Sequence, residues 1–248
     1  MVVGNLLLDQ FPDGRVEPGG AALFTALAAR QAGLRVGLHS VVGADYPLEL
    51  LRKSGVQLSL THLEGPGGRT VIRYTENQRE LTHVGPGHHA MTPQTLHPFD
   101  TRLVHIAPMP WEWQRFHLEG CAPGTALLDP YPVFSRSCWL DLEPRRKYLL
   151  YLLLNQEELE IDLEVLPEDL PALVKQGAEG GYCWRTGQRW QAVDVPVVDP
   201  TGAGDSFAAG LAAGHLAGLK SSESFALGAD LAARVVTDVG VRALLGSG

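Results

Sequence analysis

The run Val197-Val198-Asp199-Pro200-Thr201-Gly202-Ala203-Gly204-Asp205-Ser206-Phe207 decides the fold, and small and apolar residues continue from it to Leu219. Val193 to Val198 predicts a β-branched strand and Pro200 a turn. From Gly202 onward, Ala208, Leu211, Ala212, His215 and Leu216 recur at helical spacing. A strand feeding a glycine-rich turn that opens a helix aims several backbone N–H groups at one point. Those dipoles, with the helix macrodipole, favour a phosphate there.

Asp205 adds chemistry to that point. A carboxylate one residue past the glycines repels phosphate, but beside it can take the proton of an attacking alcohol. Amides on a phosphate and a base on the nucleophile are what phosphoryl transfer needs. The same position suits an acid that only caps the helix, and the spacing permits both readings.

Asp-Pro-Thr-Gly-Ala-Gly-Asp-Ser-Phe at 199–207 resembles the C-terminal signature of the ribokinase-like (PfkB) carbohydrate kinases. The resemblance implies a three-layer α/β/α fold with a central, mostly parallel sheet and a small β lid. It implies ATP and Mg²⁺ as cofactors, with a monovalent cation in some relatives. It gives Asp205 the role of catalytic base, Gly202, Ala203 and Gly204 that of anion hole, and Thr201 a place beside the nucleotide.

Composition is compatible with this. At 248 residues and 45% hydrophobic, the chain can bury one large α/β core. A formal charge of −8 argues against nucleic acid or an anionic membrane surface as partner. Cys121, Cys138 and Cys183 show no CxxC spacing and read as reduced thiols of a cytoplasmic protein. The longest later apolar run, Leu149 to Leu154, is far short of the ~20 residues of a membrane helix.

Along the chain, Met1 to Leu8 predicts a buried strand ending at Asp9, followed by a polar turn-forming stretch from Gln10 to Pro18. Gly19-Gly20 then opens a helix from Ala21 to Ala32, closed by Gly33. Leu34 to Val42 predicts a strand and Pro47 to Lys53 a short helix, a βαβ alternation that suits a parallel sheet. Gly-Gly, a small-residue helix and a strand ending Val-Gly-Ala-Asp are similar to the family's N-terminal signature. That likeness assigns substrate hydroxyls to Asp9, Gly19 and Gly20, although Asp9 alone would equally read as a strand-end turn residue. Phe24 stands where many relatives carry a sugar-contacting Asn, and a phenyl ring cannot replace an amide's hydrogen bonds. The Gly-Gly-Ala-Ala-Leu-Phe form looks closer to the inositol-kinase-like branch.

Arg69 to Val84 predicts a hairpin turning at Glu76-Asn77-Gln78. In the family such strands form the lid, here from about 10–18 and 69–85 of a single 1–248 domain, and often pair with a second subunit's lid. Leu103 to Ala107 and Ala126 to Leu128 predict strands, with a rigid aromatic loop over Pro108–Trp113 and Asp129 at a strand end, where α/β pockets lie. Trp111 and Trp113 serve equally as packing. His88-His89 lacks metal-ligand spacing. Leu149 to Leu154 predicts a strand, with Asn155-Gln156-Glu157-Glu158 opening the next helix. Asn155 and Glu158 resemble the family's magnesium- and phosphate-handling motif, and equally form a capping box. Lys175 and Gly177, after the strand Ala172 to Val174, resemble its nucleotide loop. Tyr182 to Trp184 and Trp190 to Val195 predict a small hairpin, and Ser224 to Val239 the last helix, with Ala229 where many relatives have an adenine-side Asn.

The expected function is ATP-dependent phosphorylation of a small sugar or polyol, with a nucleoside as the alternative acceptor. A non-catalytic nucleotide or polyol sensor is the rival from another class, motivated by Phe24 and Ala229. A Rossmann dehydrogenase is disfavoured, since no G-x-G-x-x-G follows the first strand.

Overall fold

The computed structural model describes residues 1–74, 79–85, 101–131 and 134–245. Its main sheet runs β13-β12-β11-β10-β9-β8-β1-β4-β5. The members are β1 (Val2–Val3), β4 (Gly37–Val42), β5 (Gln57–His62), β8 (Val104–Ile106), β9 (Ala126–Leu128), β10 (Leu149–Asn155), β11 (Ala172–Lys175), β12 (Gly181–Cys183) and β13 (Arg189–Trp190). Neighbours from β5 through β11 are parallel, and β12 and β13 extend the edge antiparallel.

Alternation along the strands fills two helical layers. Val2, Leu38, Leu127, Leu153 and Leu173 face α1 (Ala21–Gln31), α5 (Ala203–Leu216) and α6 (Ser221–Val235). Val3, Ile106, Leu128, Leu152 and Val174 face α3 (Trp111–Glu119) and α4 (Arg136–Leu142). The three-layer α/β/α architecture is thus as the family resemblance implied. A second sheet of order β3-β2-β6-β7 comprises β2 (Leu7–Gln10), β3 (Val16–Gly19), β6 (Arg69–Tyr74) and β7 (Arg79–Val84).

Several elements differ from expectation. The first strand is two: the chain leaves the main sheet at Gly4, whose added Cβ would lie 2.7 Å from Ala107 Cβ, and enters the second sheet at Leu7. Only the centre of the Gln10–Pro18 stretch is a turn, Gly14 N–H donating to Phe11 O, because Val16 onward pairs with β2. The aromatic loop is helical from Trp111, with Pro110 as N-cap, a position that needs no helical N–H. Val193–Val198 forms no strand. Pro196 removes a ladder donor, Val197 and Val198 are 63% and 58% exposed, and Val198 N–H turns instead to Val236 O at the end of α6. After Asn155 comes one 3₁₀ turn, Gln156–Glu158, rather than a helix. The last helix is Ser221–Val235, followed beyond Gly240 by a 3₁₀ turn, Arg242–Leu244. Among the described residues no helix is long and apolar enough to cross a membrane. His88-His89 and Glu76-Asn77-Gln78 lie outside the described residues.

Where α1 packs against α5, the contact of Phe24 with Gly202 is tight. Phe24, fully buried, lays its ring where a Cβ on Gly202 would be, 2.1 Å from its Cδ1, and Gly202 has φ +81°. Gly202→Ala should therefore combine left-handed strain with overpacking and cost more than about 2 kcal/mol in urea unfolding. Adding Phe24→Ala should leave the backbone strain while relieving the clash; no epistasis between the two substitutions would contradict the contact.

Two buried histidines set an acid limit. His117 on α3 stacks edge-on against His39 at 5.9 Å, and neither of its ring nitrogens has a partner among the described residues. Burial, then the nearby His39, lowers its pKa from 6.5 to about 4. His105 on β8 is lowered to about 3, chiefly by burial. Both stay neutral in the fold, so below 6.5 the unfolded chain binds protons that the folded chain does not. Stability is whole above pH 6.5 and drains as pH falls toward 4. His117→Leu should flatten that loss by up to about 3 kcal/mol between pH 6.5 and 4, read by urea melts; an unchanged pH slope would count against it.

Candidate active site

The glycine-rich turn forms as its residues require. Asp199 is buried, and its Oδ1 accepts from Thr201 N–H at 3.0 Å and from Thr201 Oγ1 at 2.6 Å. Its Oδ2 accepts from Gly240 N–H at 3.0 Å, tying the turn to the segment after α6. This Asx turn brings the chain to Gly202, whose positive φ starts α5. Ala203, Gly204 and Asp205 form the first turn, where helix geometry leaves backbone N–H groups without intrahelical acceptors. The Thr201 hydroxyl is engaged in holding this loop.

Lys175, at the end of β11, reaches the same helix end. Its Nζ lies 3.2 Å from where a Cβ on Gly204 would stand, so any larger residue there would crowd it. The ammonium pairs with Asp129 Oδ2 at 3.1 Å, both side chains being largely buried. Burial pulls the Lys175 pKa down, but Asp129, then Asp205 and Glu158, more than offset it, and the net direction is upward. A cation at the positive end of a helix is unfavourable alone. The surrounding carboxylates make it tolerable.

Glu158 lies beside this cluster. Burial and then the Asp129 charge raise its carboxyl above the ordinary range, while Lys175 and a hydrogen bond from Asn155 oppose the rise. Asn155 Oδ1 also accepts from Glu157 N–H at 3.3 Å, capping the 3₁₀ turn. Asn155 and Lys175 are register partners on β10 and β11. Gln176 Nε2 donates to Gln156 Oε1 at 2.6 Å, joining the two loops. Gly177 has φ +58° and faces open space. The structure therefore gathers Asp129, Asn155, Glu158, Lys175, Gly204 and Asp205 at the carboxyl ends of β9 to β11 and the start of α5. Asp129, expected on the substrate, is committed to Lys175.

No cluster of three or more His, Cys, Asp or Glu occurs among the described residues as a metal cage. The mutual repulsion of Glu158 and Asp129 nonetheless fits a cation nearby. Oxygen donors so sparse suit a water-rich Mg²⁺ held partly by phosphate oxygens.

Asp9, Gly19 and Gly20 come together separately, at the root of the second sheet. The Asp9 carboxylate lies over Gly19, where an added Cβ would sit 2.0 Å from Oδ2. Gly20, at φ +94°, approaches the Asn5 carbonyl and begins α1. Tyr46 donates to Gly19 O at 3.3 Å, and burial, reinforced by Asp9, raises its pKa well above 10. Asp9 pairs across strands with Thr70, and Thr70 with His83. Thr70 Oγ1 and His83 Nδ1 are 3.2 Å apart, and the His83 ring meets Tyr131 edge-on at 5.8 Å, so the second sheet leans on the residues after β9. Phe24, one turn past Gly20, links this group to the glycine-rich turn through Gly202. Sequence reasoning missed the organising role of Asp199, though Asp-Pro-Thr is an Asx-turn signal, and missed Gln114, described below.

Residues 154–246 match the model of the pfkB family carbohydrate kinases. The chain is 27% identical to the cytidine kinase of Thermococcus kodakarensis, covering 95% of each chain. It is 28% identical to the nucleoside kinase of Methanocaldococcus jannaschii, over 92% of this chain and 82% of that one. The crystal structure of that organism's nucleoside kinase, an archaeal member of the ribokinase family, superposes with a TM-score of 0.79 at 23% identity, over 96% of this chain and 92% of the other. The resemblance to the ribokinase-like (PfkB) carbohydrate kinases therefore holds by sequence over residues 154–246 and by fold over nearly the whole chain.

Proposed function

We propose that the protein transfers the γ-phosphate of ATP to a hydroxyl of a nucleoside, with small sugars or polyols as the second acceptor class. Similarity to a cytidine kinase and a nucleoside kinase over nearly the full chain favours the nucleoside over the sugar or polyol expected from the sequence. The observation that carries phosphoryl transfer is the placement of Asp205 in the first turn of α5 with the Lys175 ammonium against Gly204.

In this reading the amides of Gly202, Ala203, Gly204 and Asp205 face the transferring phosphoryl group, where charge develops. Asp205 accepts the proton of the attacking hydroxyl. Lys175, freed in part from Asp129, Asp205 and Glu158 when anionic oxygens arrive, supplies positive charge. Thr201 and Gly177 line the nucleotide side. Asn155 and Glu158 would hold Mg²⁺ through its waters, and the ion would supply positive charge to the phosphate oxygens. Asp9, with Gly19 and Gly20, orients the acceptor. Phe24 backs the anion loop and leaves hydroxyl recognition to Asp9 and the second sheet.

Asp205→Asn should fold as the wild type and lose roughly 10²–10⁴-fold in kcat, because an amide cannot take the proton. ADP formation with cytidine, uridine, adenosine, inosine, ribose, fructose and myo-inositol measures it. Near-wild-type turnover by the variant would refute the base assignment, and turnover with sugars alone would refute the nucleoside. The second sheet exposes Val16, Leu81 and Val84, and in this reading it serves as a lid that pairs with a second copy. Light scattering should give a dimer mass; a monomer across working concentrations would sink that pairing.

A further inference from the structure

Gln114 on α3 is fully buried and belongs to none of the groups assigned above. Its Nε2 donates to Ala107 O at 3.0 Å and to Asp129 O at 2.5 Å. Its Oε1 is buried without a partner among the described residues. Two carbonyls can be served only by the NH₂ end of the amide, so the orientation is dictated. A half-satisfied buried amide is costly, and its position shows what it compensates.

β8 and β9 run parallel with Ile106 opposite Leu128, and Asp129 N–H donates to Ile106 O at 3.0 Å. Continuing that ladder, the donor facing the Asp129 carbonyl would be the N–H of residue 108. Residue 108 is proline and has none. Gln114 supplies the missing donor from the helix. Asp129 is then held through both its N–H and its C=O, and its carboxylate meets Lys175 Nζ at 3.1 Å.

We propose that Gln114 is a positioning residue: it stands in for the absent N–H of Pro108, fixes Asp129, and so seats the Lys175 ammonium at the start of α5. Its consequence for catalysis rests on the kinase reading; the seating of Lys175 does not.

Gln114→Met keeps the length of the side chain and removes the donor. Acetic anhydride labelling at one fixed pH, followed by peptide mass spectrometry against Lys53 and Lys220, should show Lys175 reacting several-fold faster than in the wild type. Adding Pro108→Ala returns an N–H to the ladder and should bring the Lys175 rate back toward the wild type, which a loss of general packing would not do. Where turnover is measured, kcat/KM should follow the same order, the single variant falling by up to about 10²-fold. A folded Gln114→Met with wild-type Lys175 reactivity overturns the proposal, as does a folded double variant still as reactive as the single one. If Gln114→Met alone does not fold, Pro108→Ala with and without Gln114→Met decides: equal Lys175 rates support the redundancy, and unequal rates overturn it. Absence of turnover in every protein would sink the kinase reading and leave the labelling to decide this one.

Discussion

The start of α5 carries an electrostatic conflict on which the rest of the site depends. First-turn amides and the helix dipole already make that point positive, and Lys175 adds a full charge against Gly204. Asp129 pairs with the ammonium, and Asp205 and Glu158 bear on it from further sides. An anion arriving there meets a cation whose existing partners are all carboxylates that cannot follow it onto phosphate. The same balance keeps Asp205 near positive charge while leaving it in the helix's first turn.

The backbone around this point is short of ordinary ladder and helix partners, and side chains replace them. Pro108 withholds an N–H from Asp129, and Gln114 provides it. Pro200 breaks the approach to α5, and Asp199 closes the turn with Thr201 and Gly240. Gly202 adopts a left-handed conformation, and Phe24 fills the volume a side chain would have taken. Each replacement is specific in direction, so each fixes a loop that regular structure would have fixed less sharply.

What the sequence made legible follows from which signals are local. Asp199–Phe207 and Gly19-Gly20 announce turns that only glycine conformations and Asx geometry can make, and both turns are present. Periodicity marked most strands together with α1 and α5, but β5, α3 and α4 went unread. Val193–Val198 was misread because β-branched composition predicts extension, whereas strand membership also needs a free ladder edge, which Pro196 and exposure deny it. Trp111 to Trp113 looked like loop because Pro108 and Pro110 precede it, yet a proline at a helix start costs nothing. Gln114 was invisible, since a lone glutamine gains meaning only once the register of β8 against β9 sets Pro108 opposite Asp129. Asp129 was found, but its partner Lys175 lies 46 positions away and could be assigned only in space.

The second sheet and the glycine-rich turn share anchors, which argues that they respond as one unit. Arg242 donates to Glu17 on β3, and Gly240, beside the same carboxylate, donates its N–H to Asp199. On the other side, the chain passes from Gly19, under Asp9, through Gly20 into α1 and reaches Gly202 through Phe24 within one helical turn. A displacement of β3 therefore acts on the Asp199–Gly202 turn from both its flanks, through a hydrogen-bonded route and a packed one. Rigid packing transmits such shifts because interior side chains have no slack to absorb them. If Asp9 orients the acceptor as proposed, its binding would in this way be mechanically joined to the amides at the start of α5, without any residue having to span the distance.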